Sequence, residues 1–221
     1  YVNLLENSTF QDTMIQEAND TGGLQLITKV WGCASRQDNL PRGLWKTEEV
    51  DGRVVLRLIR SDNAISHGET RCLAFLGQTG RDVSDYDYLE MRASFDISYQ
   101  SLSGCGWDGS ECPLMLQMDY IDQNNELQTW RHGFYYAQPQ ADYPASCNTC
   151  RQEHDRVNEK AWYTYTSGNL KALLGPKQIP RTILNVQFYA SGHQYDVAIG
   201  EVSLLAGQLV GEPGASDTTS P

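Results

Sequence analysis

Strict two-residue alternation constrains this chain more than any other feature. Leu89, Met91, Ala93, Phe95 and Ile97 are apolar, while Glu90, Arg92, Ser94, Asp96 and Ser98 between them are polar. Successive side chains of a strand point to opposite faces, so this pattern describes a strand with one buried and one wet face. It recurs at Val54, Leu56 and Leu58, at Leu114, Leu116, Met118 and Tyr120, and at Leu184, Val186, Phe188 and Ala190. Asp122-Gln-Asn-Asn-Glu126 separates two such runs and reads as a hairpin turn. Val197 and Ile199 share one parity and Val202 and Leu204 the other, which predicts a β-bulge at Gly200-Glu201. His67-Gly-Glu-Thr70 reads as a loop between strands.

About nine or ten strands are expected from this spacing. Only Asn169-Leu-Lys-Ala-Leu-Leu174 reads as helical, with Ser167 or Asn169 as its cap and Gly175 as its stop. The expected fold is all-β: an antiparallel β-sandwich of jelly-roll type with one short helix. Residues 1–209 are expected to form the sandwich domain. Residues 210–221, small, polar and broken by Pro and Gly, read as a flexible tail or linker.

Seventeen Lys and Arg against 28 Asp and Glu leave a formal charge of −11. That field repels phosphate, which argues against nucleic acid and against anionic lipid as partners. No apolar run approaches the ~18 residues of a membrane span, so direct membrane insertion is not expected. The start at Tyr1, without a signal-peptide pattern, reads as a processed product or a fragment.

Six cysteines, an even number in an acidic chain, suit disulfides and an extracellular or cell-surface setting, secreted or within a membrane-anchored protein. Their pairing stays open. A short loop favours Cys105–Cys112, Cys147–Cys150 could close across two residues, and Cys33 and Cys72 then remain. A competing reading makes Cys147, Cys150 and His154 a zinc half-site, with His132 or Cys105 as a further ligand.

Sugar rings stack on flat aromatic faces flanked by planar polar groups. Candidates are Trp107, inside the Cys105–Cys112 loop, and Trp130, Arg131 and Tyr135. Trp130, His132 and Phe134 share a parity that Arg131 and Tyr135 oppose, so one of these faces must be core. Trp31, Trp45 and Trp162 read as packing residues. The chain has no G-x-S-x-G, H-E-x-x-H, P-loop or G-x-G-x-x-G signature, and Asp85, Asp87 and Glu90 read as a solvated strand entrance. No catalytic residue is expected.

Asn3-Leu-Leu-Glu-Asn-Ser-Thr-Phe-Gln11 resembles the opening N-L-L-x-N-x-x-F-E of galactose-binding-like and carbohydrate-binding jelly-roll modules. Gly200-Glu-Val-Ser-Leu-Leu205 resembles their closing D-x-V-x-L strand, with Glu201 where Asp is usual. The resemblance implies that the two ends are neighbours and share a structural calcium, held here by Asn7, Gln11 and Glu201. Cys105–Pro113, Cys147–Cys150 and Tyr189–His193 look similar to C-terminal regions of bacterial envelope proteins that also carry FecR-like domains. The expected function is a non-catalytic extracellular module that binds a glycan or another cell-envelope component. The runner-up is a structural domain packing in a bacterial surface assembly, and the third is a jelly-roll carbohydrate-active enzyme.

Overall fold

The computed structural model describes residues 1–19, 21–36, 40–61, 63–102, 105, 111–138 and 152–209. Trp107, Cys147, Cys150 and the expected tail at 210–221 lie outside the described residues.

Two sheets face each other. The smaller is built from β4 (Leu44–Val50), β5 (Arg53–Arg60), β8 (Tyr88–Gln100), β12 (Tyr163–Thr166) and β14 (Tyr195–Gly207), in the order β12-β8-β14-β5-β4, with β1 (Val2–Asn3) added to β14. The larger contains β2 (Gln25–Leu26), β3 (Trp31–Arg36), β6 (Gly68–Phe75), β9 (Leu114–Asp122), β10 (Leu127–Tyr135), β11 (Asp155–Arg156) and β13 (Pro180–Gly192). Their order is β11-β10-β9-β13-β6-β3-β2, and β7 (Arg81–Asp82) also pairs with β13. All pairings are antiparallel except the two-residue contact of β10 with β11. The result is the expected all-β sandwich of jelly-roll type.

One contiguous core fills the space between the sheets, because both contribute their apolar parity to it. Leu89, Met91, Ala93, Phe95 and Ile97 enter from β8, and Leu114, Leu116, Met118 and Tyr120 from β9. Trp31, Phe10 and Phe188 meet at its centre, with ring centroids 5.2–5.8 Å apart in tilted or edge-on geometry. Cys33 and Cys72 sit opposite each other on β3 and β6 and are disulfide-bonded inside this core.

Local rules account for the joints. Asp122 Oδ1 accepts the N–H groups of Asn124 and Glu126 at 2.7 and 3.0 Å, closing the β9–β10 turn, while Asn125 takes φ +64°. The one helix among the described residues, α1 (Leu170–Leu173), has Asn169 as its cap, accepting Lys171 N–H at 3.1 Å. Gly175, at φ +72°, follows it. A register shift between Ile199 and Glu201 against β8 is the expected bulge.

Two expectations need correction. The segment Gly68–Thr70 is not loop but the start of β6, paired to both β3 and β13. Leu184 is half-buried while Ile183 is in the core, because a register shift between Ile183 and Asn185 offsets the pairing there with β9. The chain ends do meet: Val2 pairs with Ala206, Leu4 N–H donates to Leu204 O at 2.8 Å, and Val202 N–H donates to Ser8 O at 2.9 Å.

Candidate functional site

If one parity of the larger sheet builds the core, the other builds its outward face. Cross-strand register aligns these outward residues in rows. One row runs Arg131–Gln117–Gln187–Leu73–Gly32, from β10 to β3. The next runs Thr129–Asp119–Asn185–Phe75. A third runs Gly133–Met115–Tyr189–Arg71–Ala34.

Long planar side chains in register hydrogen-bond to one another. Asp119 accepts from Gln117 Nε2 at 2.9 Å, Thr129 Oγ1 at 2.8 Å and Gln187 Nε2 at 2.8 Å. Gln117 Oε1 accepts Arg131 Nε–H at 3.0 Å, and Gln187 Nε2 also donates to Asn185 Oδ1 at 2.7 Å. Arg71 donates to Glu69 Oε1 at 2.7 Å and to Gln187, with its guanidinium carbon 4.1 Å above the Tyr189 ring. Each group thereby loses rotamer freedom, which fixes a flat array of amides and guanidinium groups. Arg131 is half-buried, and its terminal nitrogens have no hydrogen-bond partner among the described residues.

Phe75 completes the face. It ends the outward parity of β6 at 60 % exposure, in register with Asn185. Beside it opens a hollow of about 600 Å³ lined by Leu4, Leu26, Val30, Phe75 and Arg81. An exposed ring next to preorganised amides can stack on an apolar ring face while its neighbours hydrogen-bond the ring's hydroxyls.

The sequence candidates fall differently. Trp130 is 1 % exposed and lies in the core, because its parity is the inward one, so it offers no face to a ligand. Tyr135 points outward yet is buried against Met115, Tyr189 and the Cys105–Cys112 disulfide. Of that group only Arg131 belongs to the lattice. Trp107 lies outside the described residues, but Glu111, which closes its loop, accepts from His193 Nδ1 at 2.9 Å and contacts His67 Nδ1 at 3.3 Å. Phe75, Gln117, Asp119, Asn185 and Gln187 were missed. The signal lay in the wet parity of β6, β9 and β13, where neutral amides stand in places that Lys and Glu usually take.

The residues expected to hold calcium line two hollows. Gln11 and Glu201 line one hollow that Arg53 also lines, whereas Asn7 lines another with Glu6, Asp12 and Lys29. Glu201 Oε1 accepts Ser203 Oγ–H at 2.8 Å, and Asn7 Oδ1 accepts Asp12 N–H at 3.2 Å. A single carboxylate sharing its hollow with a guanidinium is a poor oxygen cage for a divalent cation. For the zinc reading, Cys147 and Cys150 lie outside the described residues, while His154 stands beside Cys105 and Cys112.

No family model matches the chain, and no curated protein matches it in sequence. Among solved structures it is similar to a family 30 carbohydrate-binding module, with 11% identity, TM-score 0.47 and coverage of 97% of this chain and 91% of the other. It is also similar to TmCBM61 in complex with β-1,4-galactotriose, with 7% identity, TM-score 0.45 and coverage of 93% and 99%. A family 11 carbohydrate-binding module of a cellulosomal cellulase of Clostridium thermocellum gives 7% identity, TM-score 0.43 and coverage of 87% and 100%. Likeness at this level carries no inference about what this chain binds.

Proposed function

We infer that this domain is a non-catalytic module that holds a neutral glycan against the outward face of its larger sheet, in an extracellular or surface setting. The observation that carries the reading is Phe75, 60 % exposed at the edge of a hydrogen-bonded array of amides. The ring supplies stacking area at low entropic cost, and Asn185 and Arg131, held in place by Gln187 and Gln117, supply directional donors and acceptors. Two disulfides support the oxidising setting. The carboxylate of Asp119 is committed to three side-chain donors, which suits a scaffold for binding better than an acid or base.

Affinity electrophoresis in gels containing soluble β-glucan, galactan or xylan tests this. One gel should retard the protein, and Phe75→Ala should weaken retention by roughly tenfold or more, about 1.4 kcal/mol per decade. Arg131→Ala should weaken it too, with an unchanged melting temperature in both variants. Retention that survives both substitutions sinks the assignment to this face.

A further inference from the structure

One arginine of the lattice has no counter-charge in contact. Arg71, on β6, reaches over the Tyr189 ring of β13 and donates through Nη1 to Gln117 Oε1 on β9 at 3.4 Å. Arg131, on β10, donates through Nε to the same oxygen at 3.0 Å. Two cations thus converge on one neutral amide from the two sides of β9. Burial pushes the Tyr189 hydroxyl pKa up while both guanidinium charges pull it down, so both act on the same small area. Like charges this close repel unless a carboxylate balances them. Arg71 has its balance in Glu69 Oε1 at 2.7 Å. Arg131 makes no ion pair among the described residues, and its terminal nitrogens have no hydrogen-bond partner there. Asp119, one row away, is already committed to the neutral donors of Gln117, Thr129 and Gln187. In a chain with 28 acidic residues and a net charge of −11, an arginine pinned by its Nε with its fork left open is a receptor for an anion.

We propose that the Arg131 fork, supported by Arg71, takes the carboxylate of a hexuronic acid residue in the bound glycan. This rests on the glycan-binding reading of the face and adds one acidic sugar to an otherwise neutral chain. Arg131 stands three strands from Phe75, roughly 14 Å at about 4.8 Å per strand, so the two groups meet different sugars of one chain. Neutral rings stack at Phe75, and the acidic residue sets the register in which they do so. A carboxylate is planar and accepts two parallel N–H···O bonds from a guanidinium. The bed of amides around the fork is flat, which favours that planar group over a tetrahedral sulfate ester.

The test follows the arginine Nε–H and Gln117 side-chain amide resonances of the whole protein during titration with methyl β-glucuronoside, methyl β-glucoside, glucose 6-sulfate and acetate. The glucuronoside should move the Arg131 and Arg71 signals, and added salt should weaken its binding. Arg131→Gln should weaken it roughly tenfold and Arg131→Lys nearly as much, because lysine keeps the charge but loses the fork. Equal movement with the glucoside, an equal or stronger response to the sulfate or to acetate, or no movement at Arg131 would each overturn the proposal. Phe75→Ala should leave the glucuronoside response in place. Gels that retard the protein while the glucuronoside moves nothing would remove the acidic subsite alone, and the converse pattern would remove the stacking face alone.

Discussion

The two sheets present opposite kinds of outward face. On the smaller sheet the wet parity is ionic: Arg57 bridges Asp196, at 2.5–2.6 Å, and Glu48, at 2.9 Å, while Lys46 reaches Glu48 at 2.6 Å. Glu90 takes Arg92 and the Tyr88 hydroxyl, whose pKa is pushed up to about 12 chiefly by that hydrogen bond. Such charges neutralise one another on a part-covered surface, with Arg57 29 % and Asp196 15 % exposed, and the pair is bidentate. The larger sheet carries charges too, in Asp119, Arg71 and Arg131, but sets them among amides, hydroxyls and the exposed ring of Phe75. Amides hold hydrogen-bonding capacity without a charge to cancel, and their direction is set by their neighbours. The same alternation therefore yields a solvated face on one sheet and a face built for directional contact on the other.

Acid should separate the two sheets most sharply. His132 lies on β10 and His154 beside it, and burial lowers the pKa of both. A depressed folded pKa means stability that is present above the unfolded value of about 6.5 and lost as pH falls. Between pH 6.5 and 4 the urea midpoint should drop, with His154 accounting for about 3 kcal/mol at the acid end. His154→Gln should flatten that slope. On the smaller sheet Glu48 is lowered, with burial opposing its hydrogen bonds to Lys46 and Arg57, so its contribution should disappear only below about pH 4.5. A pH profile unchanged by His154→Gln would remove the imidazole from this account.

Next in size is the lattice itself. Asp119→Ala strands donors from Gln117, Thr129 and Gln187 on a half-covered face and should cost about 1–3 kcal/mol in chemical denaturation. Arg57→Ala leaves the part-buried Asp196 and Glu48 carboxylates without their guanidinium and should cost about 1–3 kcal/mol as well, yet leave glycan retention untouched. Lost retention in Arg57→Ala would erase the distinction drawn between the faces.

The smallest expected effect is that of calcium at the joined chain ends. Millimolar calcium and excess chelator should give the same melting temperature, because Arg53 shares the hollow of Gln11 and Glu201. A bound ion at a hundredfold excess over its Kd would instead add about 2.7 kcal/mol. A rise that Glu201→Gln abolishes would restore the metal.

Much of the frame was legible in the chain. Alternation at residues 89–97 and 114–120 fixed strands and their buried sides, since parity is a local property of extended backbone. Asp122, Asn169 and the parity flip at Gly200 marked a turn, a cap and a bulge for equally local reasons. Parity also showed that Trp130 and Arg131 point to opposite sides, but could not say which side is core. Only the packing of β10 against its neighbours decided that, and it buried the tryptophan.

The candidate site was less legible because it belongs to no single segment. Asp119, Gln187 and Phe75 lie on three strands, and only the register of β9, β13 and β6 sets them side by side. Likewise, Cys105 and Cys112 are separated by a short loop that sequence could close, whereas their approach to His154 depends on a glycine in another strand. Sequence alone determined most strands, the β9–β10 turn, the helix and the bulge, though not the start of β6, because propensity and alternation act over a few residues. Tertiary structure decided which polar groups meet and which aromatic ring stays in water, because those depend on pairings between strands far apart in the chain.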